Sequence, residues 1–440
     1  MWRGVVEAET SDVPIPVIAS HCTLHRAVKS GSSMALDPDK STSRNVTAGP
    51  ASAATITIYQ IIGLVLPWNT AYKASRVLNT LFALELGATP LQTGLLLATY
   101  GLFPLFFAVY AGKVADRHGV RMPLYLGLIL LGVGIVLPFV WPTFVALFAS
   151  ALIGGAGFIL SQVAMQTLTG SLGGGETRTK NFSLYVLTVA TADFLGPVLA
   201  GFSIDAFGHV PTFAISASIT LLSLAGFIAI DRVIPRAIAR AGDAPATHSM
   251  DLLRIPVLRR VFIASGVTMS AGDMFQLYVP LYGHSIGLSA SAIGLVMGAA
   301  AVSVFVTRAL IPPMARRFGE ERLLLYSLLL TAAALAMIPF FKTAVALGAV
   351  CFVLGLGLGL GQPLTVIIAY NHSPAGRAGE VVGLRIATNN FMHVLVPPLF
   401  GAMGSLVGLA AVFWASGVVL SLGAYASRLT PTIKPAAKDK

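Results

Sequence analysis

The chain has 440 residues, of which 55% are hydrophobic and only 11% charged, with a mean hydropathy of +0.80, whereas a soluble domain carries about 25% charged residues. That composition excludes a water-soluble globular fold and calls for lipid as solvent. The formal net charge of +11 invites a nucleic-acid reading, which the placement of the cations along the chain removes.

Residues 1–55 are rich in Ser, Thr, Pro, Asp and Arg without helical periodicity, the composition of a disordered N-terminal tail. They lack the n-region, h-region and small-residue cleavage site of a secretory signal, and Met34 is an alternative start. Apolar runs long enough to cross a hydrocarbon core of roughly 30 Å then follow. They lie at about 58–86, 91–111, 123–141, 143–169, 181–204, 211–231, 257–286, 289–311, 323–341, 344–370, 381–404 and 406–427. The first is longer than needed, and Pro67-Trp68 is read as an interfacial start rather than mid-helix.

The 29 Lys and Arg residues test this topology, because cations are retained in short cytoplasmic loops. With both termini inside, all of them except Lys342 in an outside loop and Lys73, Arg76 and Arg385 within helices fall in cytoplasmic tails and loops. The basic charge is therefore a topology signal, and nucleic acid is not needed to explain it. The connection at 232–256, rich in Arg, Pro, Ala and Asp, reads as a linker between a six-helix half at 56–231 and another at 257–428, with a tail at 429–440. Two cysteines, Cys22 in the tail and Cys351 in an apolar run, make no disulfide framework, and no metal-ligand cluster or cofactor motif is visible.

Sliding the sequence against itself by 200 residues aligns Gly94-Leu95 with Gly294-Leu295, Ala115-x-Arg117-x-Gly119 with Ala315-x-Arg317-x-Gly319, and Gly155-x-Gly157 with Gly355-x-Gly357. The same shift aligns Gln162 with Gln362, and Pro197-x-Leu199-x-Gly201 with Pro397-x-Leu399-x-Gly401. Matches that hold one register over most of a half mark an internal duplication. The expected fold is an all-α membrane protein of about twelve transmembrane helices in two parallel six-helix repeats.

After the second run comes Gly112-Lys113-Val114-Ala115-Asp116-Arg117-His118-Gly119-Val120-Arg121. It resembles the G-x-x-x-D-R-x-G-x-R signature of the major facilitator superfamily, and its position matches. The glycines permit tight helix approach, the acid can face a helix N-terminus or guanidinium groups, and the cations hold the loop at the anionic leaflet. The second copy keeps Arg317 and Gly319 but has Arg316 in place of the acid. In the fifth run, Gly196-Pro197-Val198-Leu199-Ala200-Gly201 resembles the G-P-x-x-G-G motif of antiporters in that superfamily, with Ala200 for the first glycine of the last pair. A Pro-Gly bend where two helices pack closely is the other reading. Ser150 stands roughly where the family's fourth-helix arginine is expected, and Gly355-Leu356-Gly357-Leu358-Gly359-Leu360-Gly361 reads as helix packing rather than a phosphate loop.

A charge at the bilayer centre costs at least about 2.5–3.5 kcal/mol on insertion scales, so polar residues there are the site candidates. Asn69, Tyr72, Lys73, Arg76 and Asn79 form one stripe of the first helix. Arg76 lies near the midplane, about 15 Å from the outside end at 1.5 Å per residue, and suits a carboxylate or phosphate. Lys73 either faces the site or snorkels to the interface. Asp273, the repeat equivalent of Lys73, is the most central acid, with Gln276 one turn on. It is read either as a proton-coupling group or as a permanent partner of Arg76 or Lys73. Asp193 and His393 correspond through the same shift and are the other expected proton-coupling residues, and Arg385, Asn389 and Asn390 share the His393 helix. Gln162, Gln276, Gln362 and Asn389 are expected substrate donors.

The resemblance implies a secondary transporter of a small solute in the inner membrane, working by alternating access, with the proton as coupling ion and no cofactor. Gly112, Asp116, Arg117, Gly119, Arg121, Gly196 and Pro197 are its expected gate. A monomer is expected, and no nucleophile, base and acid set suggests an enzyme. The degenerate antiporter motif favours export, whereas Arg76 leaves proton-linked uptake of an organic anion open. A non-transporting receptor or scaffold is the alternative of a different class.

Overall fold

The computed structural model describes residues 51–171, 175–231, 234, 249–374 and 377–426, with the side chains of 51–58, 107–118, 170–171, 175–179, 249–250, 309 and 378–379 excepted. The tail expected at 429–440, residues 1–50 of the tail expected at 1–55 and most of the 232–256 linker lie outside these residues, whereas 51–55 belong to the first helix. Twelve α-helices follow in order: α1 Ala51–Glu85, α2 Pro90–His118, α3 Arg121–Val140, α4 Phe144–Ser171, α5 Gly175–Phe207 and α6 His209–Ala229. The second half has α7 Pro256–Ser285, α8 Ala290–Phe318, α9 Glu320–Met337, α10 Ala344–Asn371, α11 Ala378–Val407 and α12 Leu409–Ala426. Nine of these are long and apolar enough to cross a membrane over their described residues; α1 and α7, which carry Lys73, Arg76 and Asp273, are outside that group, as is α2.

The duplication is visible in the backbone. Glycines with positive φ close the turns at Gly87, Gly119 and Gly208, and again 200 residues later at Gly287, Gly319 and Gly408. A side chain would be strained there, which is why the sequence keeps glycine at each pair. Packing repeats as well: α1 lies on α5 and α6 as α7 lies on α11 and α12, and α4 lies on α2 and α3 as α10 lies on α8 and α9. The halves meet through α2 with α11, α5 with α8, and α1 with α7.

Two expectations are corrected. Pro67-Trp68 is not an interfacial start: both lie well inside α1, and Trp68 is fully buried with its ring edge against Phe158. A proline is accommodated there because neighbouring helices compensate for the freed backbone groups. The stretches between the predicted apolar runs, 112–122 and 312–322, are mostly helix rather than loop, since α2 runs to His118 and α8 to Phe318 before the glycine turns end them.

The Gly355–Gly361 run packs helices, as expected. A Cβ at Gly355 would strike the Ala300 carbonyl of α8, one at Gly357 would strike Thr331 of α9, and one at Gly361 would strike Thr268 of α7. Three neighbouring helices are thus held close by three glycines of one helix.

At the end of the bundle holding the α2–α3 and α6 termini, Arg121 donates to the Asp231 carboxylate at 2.6 Å and to the carbonyls of Asp231 and Ile234. Tyr125 donates to the other Asp231 oxygen at 2.6 Å. Arg121 is thereby tied to the residues that follow α6. In the second half, a 3-10 turn at Ser249–Arg254 is fastened to α11 by a two-pronged contact: Arg377 Nη1 and Nη2 donate to Asp251 at 2.9 and 3.0 Å. That guanidinium holds the Asp251 carboxyl below the usual aspartate range, and Asp251 and Glu380 push Arg377 up.

Candidate functional site

A central cavity of about 480 Å³ is walled by α1, α2, α4 and α5 from one half and by their counterparts α7, α8, α10 and α11 from the other. The four remaining helices contribute no lining residue. The wall is mainly apolar and aromatic, and its ionisable groups are Lys73, Arg76, Asp193, Asp273 and His393.

From the α1 stripe, Tyr72, Lys73 and Arg76 line the cavity, but Asn69 and Asn79 do not. Asn69 donates back to the Val65 carbonyl at 3.1 Å and Asn79 to the Tyr100 hydroxyl at 2.6 Å. Both are fully buried between helices. A stripe at helical spacing spans more than 100° of the helix surface, so its margins turn into the neighbours. Tyr72 stacks on Phe158 with ring centroids 3.7 Å apart. The Arg76 guanidinium lies over the Tyr100 ring, 5.6 Å from its centroid, and its Nε and Nη2 are buried with no hydrogen-bond partner.

Lys73 Nζ contacts the Asp193 carboxylate at 2.6 Å. One turn beyond Asp193, the absent side chain of Gly196 lets α5 press on the Lys73 Cβ and the α1 backbone, which brings the carboxylate within reach. The Pro197 carbonyl sits against Gly294 of α8. So Gly196 and Pro197 act as a close-packing pair at two interfaces.

Asp273, 2% exposed, meets Nδ1 of His393 at 2.7 Å. Neither pair expected for Asp273, with Arg76 or with Lys73, forms in this structure. α11 lies on α7 within the same half and sets His393 at the level of Asp273, while Lys73 is already taken by Asp193.

Gln162 and Gln276 line the cavity. Gln362 lines it too, yet its carbonyl oxygen accepts from Arg385 at 3.1 Å and from Asn389 at 3.4 Å. Asn389 is withdrawn from the cavity and accepts from Ser265 at 2.9 Å, with Asn390 lining the wall instead. Among the expected gate residues, Gly119 makes the α2–α3 turn at φ 78°; the side chains of Asp116 and Arg117, and Gly112 with them, lie outside the described residues. Among the described residues no group of three or more His, Cys, Asp or Glu converges to hold a metal.

Sequence reasoning missed Tyr100 and Phe158, because an aromatic in an apolar helix carries no pattern that separates a cavity wall from a lipid face. Ser265 and Thr365, both on Arg385, were equally silent.

At the ends of the helices near the α1–α2 and α7–α8 turns, the halves touch backbone to backbone. A Cβ at Gly94 would collide with the Pro397 carbonyl, one at Gly294 with the Pro197 carbonyl, one at Gly201 with Ala290, and one at Gly401 with Pro90. Each contact has its image 200 residues away, so the halves close on each other at this end along two equivalent seams.

The chain matches the family described as Major Facilitator Superfamily over residues 50–397. It is 22% identical over 366 residues to "Multidrug resistance protein 1" of Bacillus subtilis (strain 168), covering 82% of this chain and 90% of that protein. It is 22% identical over 373 residues to "Quinolone resistance protein NorA" of Staphylococcus aureus (strain COL), covering 83% and 91%. In fold it is similar to a POT family transporter solved with a thioalcohol-conjugated peptide, with a TM-score of 0.71 at 12% identity over 84% of this chain and 95% of that one. It is similar also to a bacterial homolog of the human lysosomal transporter Spinster, solved inward-facing and unoccupied, with a TM-score of 0.68 at 14% identity over 87% and 100%.

Proposed function

The chain belongs to the major facilitator superfamily, and from that premise we propose that this transporter exports a small amphipathic solute across the inner membrane in exchange for protons. The observation that carries the reading is the cavity between the halves, which close on each other at one end along the glycine seams, with the buried Asp273–His393 pair in its wall. With both termini cytoplasmic, as the cation distribution supports, the closed end is the outer one. The cavity is then offered to the cytoplasm.

Roles follow from the chemistry. Asp273 and His393 set a carboxylate against an imidazole, a pair between which a proton can pass, which suits loading from one side and release to the other. Arg76 supplies a charge and the Tyr72–Phe158 stack an aromatic wall, with Gln162 and Gln276 as neutral donors. Asp193 and Lys73 neutralise each other beside the substrate. The resistance proteins named above support export. The unpaired donors of Arg76 support a second reading, proton-linked uptake of an organic anion.

Inside-out vesicles holding the purified chain test both readings. With an acid interior, export reads as accumulation of dye or drug in the vesicle lumen that a protonophore abolishes. Proton-linked uptake reads as pH-gradient-driven efflux of a preloaded organic anion from the same lumen. No gradient-dependent flux of either class across a broad panel of organic anions, zwitterions and cations would return the chain to the non-transporting alternative.

A further inference from the structure

The two outer seams have the same backbone geometry but different chemistry. In one, α5 ends on the start of α8: the Asp205 carboxylate accepts the Ala290 N–H at 3.1 Å and the Ser291 N–H at 2.8 Å, one on each oxygen. In the other, α11 ends on the start of α2, where Ser405, 200 residues after Asp205, accepts the Leu91 N–H on its hydroxyl at 3.1 Å. A helix leaves its first N–H groups without partners inside the helix. Ser289, the N-cap of α8, satisfies Ala292 at 3.2 Å, and the two N–H groups before it are satisfied from the opposite half.

A carboxylate in that position adds the attraction of an anion for the positive end of the helix to two charge-assisted hydrogen bonds. A hydroxyl adds one neutral bond. Rocking the halves apart at this end pulls α5 from α8, so the Asp205 contacts exist only while the outer end is closed.

We infer that Asp205 is the latch of the outer gate: a cap supplied across the half interface that biases the transporter toward the state closed outside. Its image Ser405 follows the same motion with a weaker hold. The inference concerns the resting conformation and rests on the transporter reading only for the meaning of that motion.

Accessibility labelling tests it without any substrate. In a Cys22→Ser, Cys351→Ser background, a single Ala301→Cys in the cavity wall reports opening through its rate of reaction with a membrane-impermeant maleimide. Right-side-out spheroplasts present the outer face. Asp205→Ala should raise the labelling rate there by roughly three- to tenfold, the scale of a lost helix cap. Asp205→Asn should lie between it and the parent, and Ser405→Ala should change the rate less than either. In inside-out vesicles the same variants should label more slowly than the parent, which separates a shifted gate from general unfolding, in which both rates rise. Enhancement confined to the inside-out vesicles would reverse the membrane orientation and keep the latch. Unchanged rates in both Asp205 variants, or an equal effect of Ser405→Ala, would overturn it. Correct labelling in a chain that moves no solute would leave the latch standing and remove the transport proposal.

Discussion

Asp273 of α7 and His393 of α11 meet at 2.7 Å in the place that Lys73 of α1 and Asp193 of α5 occupy in the first half, where the contact is 2.6 Å. Each residue is the image of its counterpart 200 positions away, so the duplication has kept one contact and inverted its charges: cation then acid in the first half, acid then base in the second. The inversion separates their chemistry. The first contact sets an ammonium against a carboxylate, whereas the second sets a carboxylate against an imidazole, the side chain suited to taking up and handing on a proton.

Asp273→Asn and His393→Gln are each expected to abolish accumulation driven by a pH gradient while leaving exchange of solute at equal pH. Lys73→Gln, which strands Asp193 without its counter-charge, is expected to weaken solute binding rather than uncouple it. The check is paired flux in vesicles with and without a gradient. Full gradient-driven accumulation in Asp273→Asn removes the pair from coupling.

Arg76→Ala is expected to abolish binding, and Arg76→Lys to restore only part of it, because an ammonium lacks the planar fork and its overlap with the Tyr100 ring. Thermal-shift titration with organic anions and cationic dyes at two pH values measures this. Equal shifts in the parent and both variants would place Arg76 outside the binding site.

Gly157→Ala is expected to destabilise the first half by about 1–3 kcal/mol, since a Cβ there would strike the Leu131 N–H and the Gly127 carbonyl of α3. Gly383→Ala, with nothing near its Cβ, is the control and should melt with the parent. Melting in detergent reads the difference directly.

The Asp251–Arg377 contact gives a pH dependence with a defined sign. The folded carboxyl lies below its ordinary value, so its contribution is present at neutral pH and is lost only as pH falls through the depressed value, below about 3.9. Docking of the 3-10 turn should therefore survive acidification to pH 5, and Arg377→Gln should release it at neutral pH. Hydrogen exchange of the 249–254 amides reports both.

In the gate motif, Asp116→Asn is expected to stop the transport cycle and Arg316→Ala to be tolerated, because only an acid can face a helix N-terminus or guanidinium groups there. Flux at matched membrane abundance decides it. Equal loss in both variants would deny the first copy a special role.

The membrane class, the repeat and the family were legible because hydropathy, cation placement and a single 200-residue register all act along the chain. Where α2 ends was not: Lys113, Asp116 and Arg117 suggest a loop, yet helix continues to His118 until Gly119 turns it. At the site, periodicity identified the correct face of α1 but not its rotation, so Asn69 and Asn79 were grouped with Arg76 although they turn into neighbouring helices. The same shift that aligned Lys73 with Asp273 and Asp193 with His393 held the actual pairing. The expected partners of Asp273 lay across the halves, whereas α1 lies on α5 and α7 on α11 within each half.

The anchors at either side of the linker carry a mechanical consequence. Arg121 fastens residues 231 and 234 to the first half, and Arg377 fastens the 249–254 turn to the second. Residues 235–248 separate the two anchors, and a chain of that length can span at most about 50 Å at roughly 3.5 Å per residue. Each half is therefore fastened at its own end of the connection. A chain cut between the two anchors should therefore still assemble and cycle when its two pieces are made together.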